Sequence, residues 1–202
     1  MKTLDPAERA AFDKPGDAFA RPHANCYWLL PGRIIAGEYP RNADEKSSRA
    51  QLETILVAGV TQFVDLTEAH ELEPYAELMQ SEAVRQGVVA KHARHPIRDL
   101  RVPMAAAMRT ILDAMAANHA GVTYLHCWGG VGRTGTVAGC LLVEAGFTAE
   151  EAIAILARKW LVMEKRTRQP RTPETREQLE FIRMWKGAGI DPASSVIART
   201  DR

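Results

Sequence analysis

The chain is short of cysteine, of net charge and of long apolar runs, and each shortage excludes a class of protein. Its three cysteines, Cys26, Cys127 and Cys140, are odd in number and lack paired spacing, which fits a reducing compartment better than a disulfide framework. Without a CxxC spacing no zinc site is expected, and no other cofactor is implied. Lys and Arg number 26 against 25 for Asp and Glu, a net charge of +1. No overall field then favours nucleic acid or an anionic membrane, and any attraction to phosphate has to be local. No stretch approaches the ~18 uncharged apolar residues of a membrane span, and the N-terminal MKTLDPAERAAFDKPGDAFARP lacks the apolar core of a leader. The expectation is a soluble, cytoplasmic protein with neither a nucleic-acid nor a membrane partner; oligomeric state stays open.

What is present suffices for one sizeable domain. With 202 residues, 46% of them hydrophobic, the chain can bury a core without staples. Residues 1–22, rich in Pro, Gly, Asp and Ala without sustained period, read as an irregular arm, 23–187 as the domain and 188–202 as a tail. RIIAG, VTQFVDL (60–66), VVAKHARHPI (88–97) and VTYLH (122–126) read as strands. Helices are expected over 43–58, with Leu52, Ile55 and Leu56 inward, and over 74–86. After Pro103, apolar residues at Met104, Ala107, Met108, Ile111, Leu112 and Met115 predict an amphipathic helix stopped at Gly121. VAGCLLVEAGF predicts a buried helix; a capping box, Thr148 to Glu151, opens another, and a last helix is expected from Thr172 with Pro173 at its first position. Strands alternating with helices point to an α/β fold, a central mixed, largely parallel sheet of about four to five strands flanked by helices, with ligands at the carboxyl ends of central strands.

The ten residues HCWGGVGRTG, His126 to Gly135, lie at such an end. Cys127 and Arg133 are separated by Trp128, Gly129, Gly130, Val131 and Gly132, a Cx5R spacing. The glycines let a short loop turn its amide N–H groups toward one centre at a helix N-terminus, an anion nest whose natural occupant is phosphate. Arg133 offers a planar fork to two phosphate oxygens and charge to a transferring phosphoryl group. Amides, helix terminus and arginine together favour Cys127 as a thiolate nucleophile. Thr134 is positioned to donate its hydroxyl to that thiolate as it leaves, while His126 is expected to fix the loop through backbone hydrogen bonds rather than act as a base.

The string resembles the signature loop HCxxGxGR followed by Ser or Thr of the cysteine-dependent protein tyrosine phosphatase superfamily, and the compact dual-specificity-like branch in particular. The likeness extends over about residues 25–186. GRIIAGEYP is similar to that branch's opening strand, VDLTE to its next strand and turn, and HPIRDLRVP to its acid loop PIxDxxxP. The resemblance implies a phosphocysteine intermediate at Cys127, no metal, and Asp99 as the general acid; Asp65, Glu68 and Glu71 are the other carboxylates in view. Arg98 precedes Asp99 where receptor-like members carry proline. TPETREQLEF resembles the QTxxQ segment, with Glu174 at its first position and Gln178 at its second, so Gln178 is left as a structural or weak water-positioning residue.

Other features carry less. His92 and His95 lack a third ligand at useful spacing and are expected to frame the acid loop. EKRTRQPR, with Lys165, Arg166, Arg168 and Arg171, reads as a solvated loop, with steering of a multiply phosphorylated substrate the alternative. Cys140 is expected in the core. The expected function is hydrolysis of phosphotyrosine, and of phosphoserine or phosphothreonine, esters in proteins. The alternatives are a phosphoinositide, inositol phosphate or other small phosphate ester as substrate, and, last, a silent phosphate-binding module. The substrate partner is accordingly a phosphorylated protein or a small phosphate ester.

Overall fold

The structure, a computed structural model, describes residues 6–186. Five strands, β1 (Cys26–Leu30), β2 (Ile34–Gly37), β3 (Val60–Asp65), β4 (Lys91–Arg94) and β5 (Val122–His126), form one sheet in the order β1-β2-β5-β3-β4. β1 runs antiparallel to β2, whereas the β2–β5, β5–β3 and β3–β4 pairs are parallel. This is the mixed, largely parallel sheet expected from the alternation of elements. β1 itself, CYWLL, was not among the expected strands; it pairs with RIIAG across a short turn in which Gly32 takes φ +73°.

The helices are α1 (Pro6–Asp13), α2 (Glu45–Val57), α3 (Ala76–Arg85), α4 (Ala105–Ala116), α5 (Gly132–Glu144), α6 (Ala149–Trp160) and α7 (Arg176–Met184), with a 3-10 turn at Glu164–Thr167. The sheet separates two cores. On one side Tyr27, Leu29, Val64 and Leu125 pack against α4, α5, α6 and Ile182 of α7. On the other, Trp28, Ile35, Phe63 and Tyr124 pack against α2 and α3. Successive strand residues point to opposite faces, so a strand buried on both sides reads as the continuous apolar run seen in VTYLH, all of it buried. The α2 stripe Leu52, Ile55 and Leu56 is buried as its spacing predicts, each side chain contributing ~1.5–3 kcal/mol.

Three local expectations are corrected. Within the arm expected to be irregular, Pro6–Asp13 is helical because it docks: Phe12 is buried, Asp13 pairs with Arg158 at 2.6 Å, and the Arg9 guanidinium lies 4.0 Å from the Phe147 ring centroid. Met104 is 79% exposed and is the N-cap of α4, so the inward stripe begins at Met108. The last helix starts at Arg176 rather than Thr172. Thr175 and Gln178 form a reciprocal capping box there, while the Thr172 hydroxyl is engaged elsewhere. The tail expected over 188–202 lies outside the described residues. No helix among the described residues is long and apolar enough to cross a membrane.

Register positions the site. Gly37 and Asp65 both stand opposite His126 in the parallel ladders. The residues that follow, Glu38, Leu66 and Cys127, therefore leave the sheet side by side at its carboxyl end.

Candidate active site

β5 ends at His126, and α5 begins at Gly132, so the five residues 127–131 form the turn between a central strand and a fully packed helix. Three of the backbone carbonyls of this turn are engaged by distant segments. Trp128 O accepts from Tyr39 N at 2.8 Å, Gly129 O from Lys165 Nζ at 2.8 Å and Val131 O from the Thr172 hydroxyl at 2.6 Å. His126 Nδ1 lies 3.3 Å from Cys127 O. Because a trans peptide directs its C=O and N–H to opposite sides, outward carbonyls leave the following amides facing the centre of the turn. Gly130 takes φ +72°, and a Cβ there would lie 2.5 Å from the Gly37 carbonyl oxygen. Only glycine allows both that turn and that approach.

A cavity of about 290 Å³ opens over the turn, lined by Asp99, Cys127, Trp128, Gly129, Val131, Gly132, Arg133, Lys165, Gln169 and Glu174. Most of the loop residues expected at the site thus meet in one hollow, together with the expected acid. A larger, mainly apolar cavity of about 480 Å³ lies between α1, α4 and α5 at the other end of the sheet and contains none of them. Cys127 is 3% exposed at the floor, and Trp128 stands 57% exposed at the mouth. Thr134 is buried, and its Oγ1 has no hydrogen-bond partner among the described residues.

Arg133 is buried, and its guanidinium is held in a fork. Nη1 donates to Glu71 Oε2 at 2.7 Å and to Ile97 O at 3.1 Å; Nη2 donates to Glu71 Oε1 at 2.5 Å and lies 3.0 Å from Asp99 Oδ1. Burial opposes its charge, but the hydrogen bonds it donates to Glu71, with the nearby Cys127, Glu71 and Asp99 charges, outweigh it and raise its pKa above the ordinary guanidinium value. For Glu71 burial works upward, and the Arg133 hydrogen bonds overcome it to keep the carboxyl below its usual range. Nε of Arg133 has no partner among the described residues, a donor left over for an anion.

Asp99, half-exposed, sits in a loop tied to the end of β3 by His95 N to Asp65 O at 2.8 Å and Ile97 N to Leu66 O at 3.0 Å. Leu100, immediately after it, takes φ +61°, a left-handed conformation that a branched side chain adopts at a cost of ~1 kcal/mol or more. The chain thereby turns sharply at the candidate acid.

Beneath the loop lies a buried polar network. Asp65 accepts from Thr67 N and Oγ1 at 2.9 and 2.6 Å, from His92 Nε2 at 3.2 Å and from Arg94 Nε at 3.0 Å. Burial would raise its pKa, but these hydrogen bonds and the neighbouring His126 outweigh that and hold it well below the carboxylate range. His126 Nε2 lies 2.6 Å from the Tyr75 hydroxyl, and burial lowers its pKa to about 4. A ring that stays neutral in this way suits the bracing role expected of it rather than that of a base.

Gln178 does not line the cavity. Its Oε1 accepts from Glu174 N and Thr175 N at 3.2 and 3.1 Å, and Nε2 donates to Arg101 O at 3.3 Å, so it ties α7 to the acid loop. His92 serves the Asp65 network. Cys140 is buried on α5 beside Glu144 and Arg109, away from the loop. Two participants enter in roles other than those expected, Glu71 rather than as a substitute acid and Lys165 rather than in a solvated or steering run, and nothing in the spacing of Gln169 marks it as a wall of the site.

The sequence profile described as the Swiss Army Knife protein, DSP-PTPase phosphatase domain, matches residues 23–182. No curated protein sequence matches the chain. Among solved structures, that of Tk-PTP in its active form is 26% identical, with 77% of this chain and 92% of that chain covered and a TM-score of 0.55. PTPMT1 in complex with PI(5)P aligns at 16% identity over 84% of this chain and 96% of its own, TM-score 0.56. The core catalytic domain of the PP-IP phosphatase SIW14 from S. cerevisiae aligns at 17% identity over 93% and 97%, TM-score 0.54.

Proposed function

The chain belongs to the DSP-PTPase phosphatase domain family of the Swiss Army Knife protein, within the cysteine-dependent protein tyrosine phosphatase superfamily, and on that premise we propose that Cys127, Arg133, Thr134 and Asp99 carry out phosphoester hydrolysis. The observation that carries the assignment is their convergence at the N-terminus of α5, with Cys127, Arg133 and Asp99 in one small cavity.

In the first step the Cys127 thiolate attacks phosphorus opposite the ester oxygen. The P–O bond breaks as the S–P bond forms, and Asp99 gives its proton to the departing oxygen. Inward-facing amides and the Arg133 fork hold the equatorial oxygens, whose charge is greatest in the transition state. Asp99 lies 3.0 Å from Arg133, so an arriving phosphoryl group takes over part of the guanidinium and leaves Asp99 beside the leaving oxygen. In the second step Asp99, now a carboxylate, takes a proton from water as the water oxygen attacks phosphorus. The S–P bond breaks, inorganic phosphate forms, and the Thr134 hydroxyl, which has no partner among the described residues, donates to the departing thiolate.

The favoured substrate is a phosphotyrosine ester in a protein, with Trp128 offering an exposed aromatic face to the ring at the mouth. A second reading, a small polar phosphate ester, is favoured by the opposite character of the remaining wall, where Lys165, Gln169 and Glu174 present donors and acceptors suited to hydroxyl groups. Hydrolysis of an aryl phosphate in the presence of chelator, comparing wild type with Cys127→Ser and Asp99→Asn, tests the chemistry. Cys127→Ser is expected to abolish turnover and Asp99→Asn to lower it about 10²–10⁴-fold; undiminished turnover in Cys127→Ser overturns the assignment. Phosphate release from a phosphotyrosine peptide against that from inositol phosphates separates the two substrates. Binding of phosphate without turnover of any ester would leave the silent phosphate reader.

A further inference from the structure

A charge run such as EKRTRQPR belongs by composition to solvent, yet one of its members is fixed against the phosphate loop at the wall of its cavity. Lys165 lies in the 3-10 turn Glu164–Thr167 with a side chain only 15% exposed. Its ammonium donates to Glu38 Oε2 at 2.5 Å and to the Gly129 carbonyl at 2.8 Å. Lys165 and Glu38 are both pinned to one segment that precedes β1. Lys165 N donates to Asn25 Oδ1 at 3.1 Å, Glu38 N to Asn25 O at 3.2 Å, and Glu164 N to Ala24 O at 3.2 Å. Exposed ion pairs contribute little because two long side chains must be ordered to make them. Here the backbone has already ordered both.

The geometry bears on the peptide between Gly129 and Gly130, the most conformationally free link of the loop. With two glycines and no side chain to hold it, this peptide can flip and present its carbonyl, instead of its N–H, to the phosphate. An inward carbonyl would repel the anion where an amide should bind it. We propose that Lys165 is a positioning residue of the phosphate site: Glu38 directs its ammonium onto the Gly129 carbonyl, which fixes that carbonyl outward and the Gly130 N–H inward. The inference rests on the reading of this loop as a phosphate site. It adds a residue 38 positions downstream of Cys127 in a segment with no motif, and it accounts for the pairing of Lys165 with Glu38, since a neutralised ammonium serves as a clamp rather than as a free cation.

The test is calorimetric binding of inorganic phosphate, which needs no turnover, to wild type, Lys165→Met, Lys165→Arg, Glu38→Gln and the double variant Lys165→Met/Glu38→Gln, with thermal unfolding of each to verify the fold. Lys165→Met is expected to weaken phosphate about tenfold, ~1.4 kcal/mol. The double variant removes the unpaired Glu38 charge as well and is expected to stay weak, while Lys165→Arg recovers most of the affinity. Glu38→Gln, which still offers an oxygen to the ammonium, is expected to change binding less than threefold. Wild-type affinity in the double variant would overturn the proposal, because the defect of Lys165→Met would then be repulsion by Glu38 and not a lost clamp. Unchanged binding in Lys165→Met overturns it directly and leaves the phosphate-site reading intact, whereas failure of wild type to bind phosphate overturns both.

Discussion

Glu71→Gln is the substitution that most directly tests how the arginine of this site is held. Glu71 is nearly buried, its side chain 11% exposed, and both carboxylate oxygens accept from Arg133 at 2.7 and 2.5 Å. Glutamine keeps one acceptor oxygen but presents an amide N–H₂ to the other guanidinium nitrogen, donor against donor, so one charge-assisted bond is lost outright. Such bonds contribute ~1.5–3 kcal/mol, and because water screens this pair little the figure needs only modest discounting. Taking ~2 kcal/mol, kcat should fall about 30-fold and the melting temperature by ~4–8 °C in a chain of this size. KM should not rise in parallel, because removing a carboxylate beside an anion site makes ground-state binding easier while Arg133 loses its aim in the transition state. Steady-state kinetics on an aryl phosphate read both constants. Glu71→Asp, which keeps the charge but shortens the reach, is expected to fall between wild type and glutamine. An unchanged kcat with an unchanged melting temperature in Glu71→Gln would refute the view that this carboxylate orients the arginine.

Two further outcomes follow from the same geometry. Thr172→Val keeps the side-chain shape but removes the donor to Val131 O at 2.6 Å, leaving that loop carbonyl with only the Gly135 N–H at 3.2 Å. A loss of ~0.5–1.5 kcal/mol in stability and a fall in kcat/KM of up to about tenfold are expected, and chemical denaturation that matches wild type would contradict it. His23 and His126 are both held neutral, chiefly by burial, with pKa values lowered to about 4 from an ordinary 6.5. The unfolded chain then binds more protons than the folded one between these values, so stability should be flat above pH 6.5 and decline as the pH falls toward 4, by up to about 3 kcal/mol per histidine. Asp65, whose pKa is lowered, contributes stability that is present above the ordinary carboxylate range and is lost only in stronger acid. Denaturation curves at pH 7 and pH 5 that superimpose would show that these two rings are not buried uncharged.

The parts of the protein legible in its sequence are those written locally. The period of Leu52, Ile55 and Leu56, the apolar run VTYLH, the Thr148–Glu151 capping box and the glycines around Cys127 each act within about ten residues, where dihedral preference and hydrophobic period are decisive. Local preference misleads where a distant contact overrides it. Pro173 looks like a helix start, but Thr172 is committed to the loop carbonyl 41 residues away, and the helix waits for the Thr175–Gln178 box. Pro6–Asp13 lacks a strong pattern and is helical because Phe12 packs on Phe147 in the turn between α5 and α6.

The site divides along the same line. Cx5R with its glycines determined by itself that a cysteine, an arginine and a set of amides would share one turn, because that arrangement closes within a few residues. Which groups hold it there was decided only in three dimensions. Glu71 reaches Arg133 across 62 residues, Lys165 reaches Gly129 across 36, and Asp99 meets the guanidinium because β3, β4 and β5 end in register. Hydrogen bonds of this kind have no period, and a lysine that clamps a loop is spelled no differently from one that faces water. The chain alone therefore specified the chemistry of the loop, and its packing against three other segments specified the loop's shape.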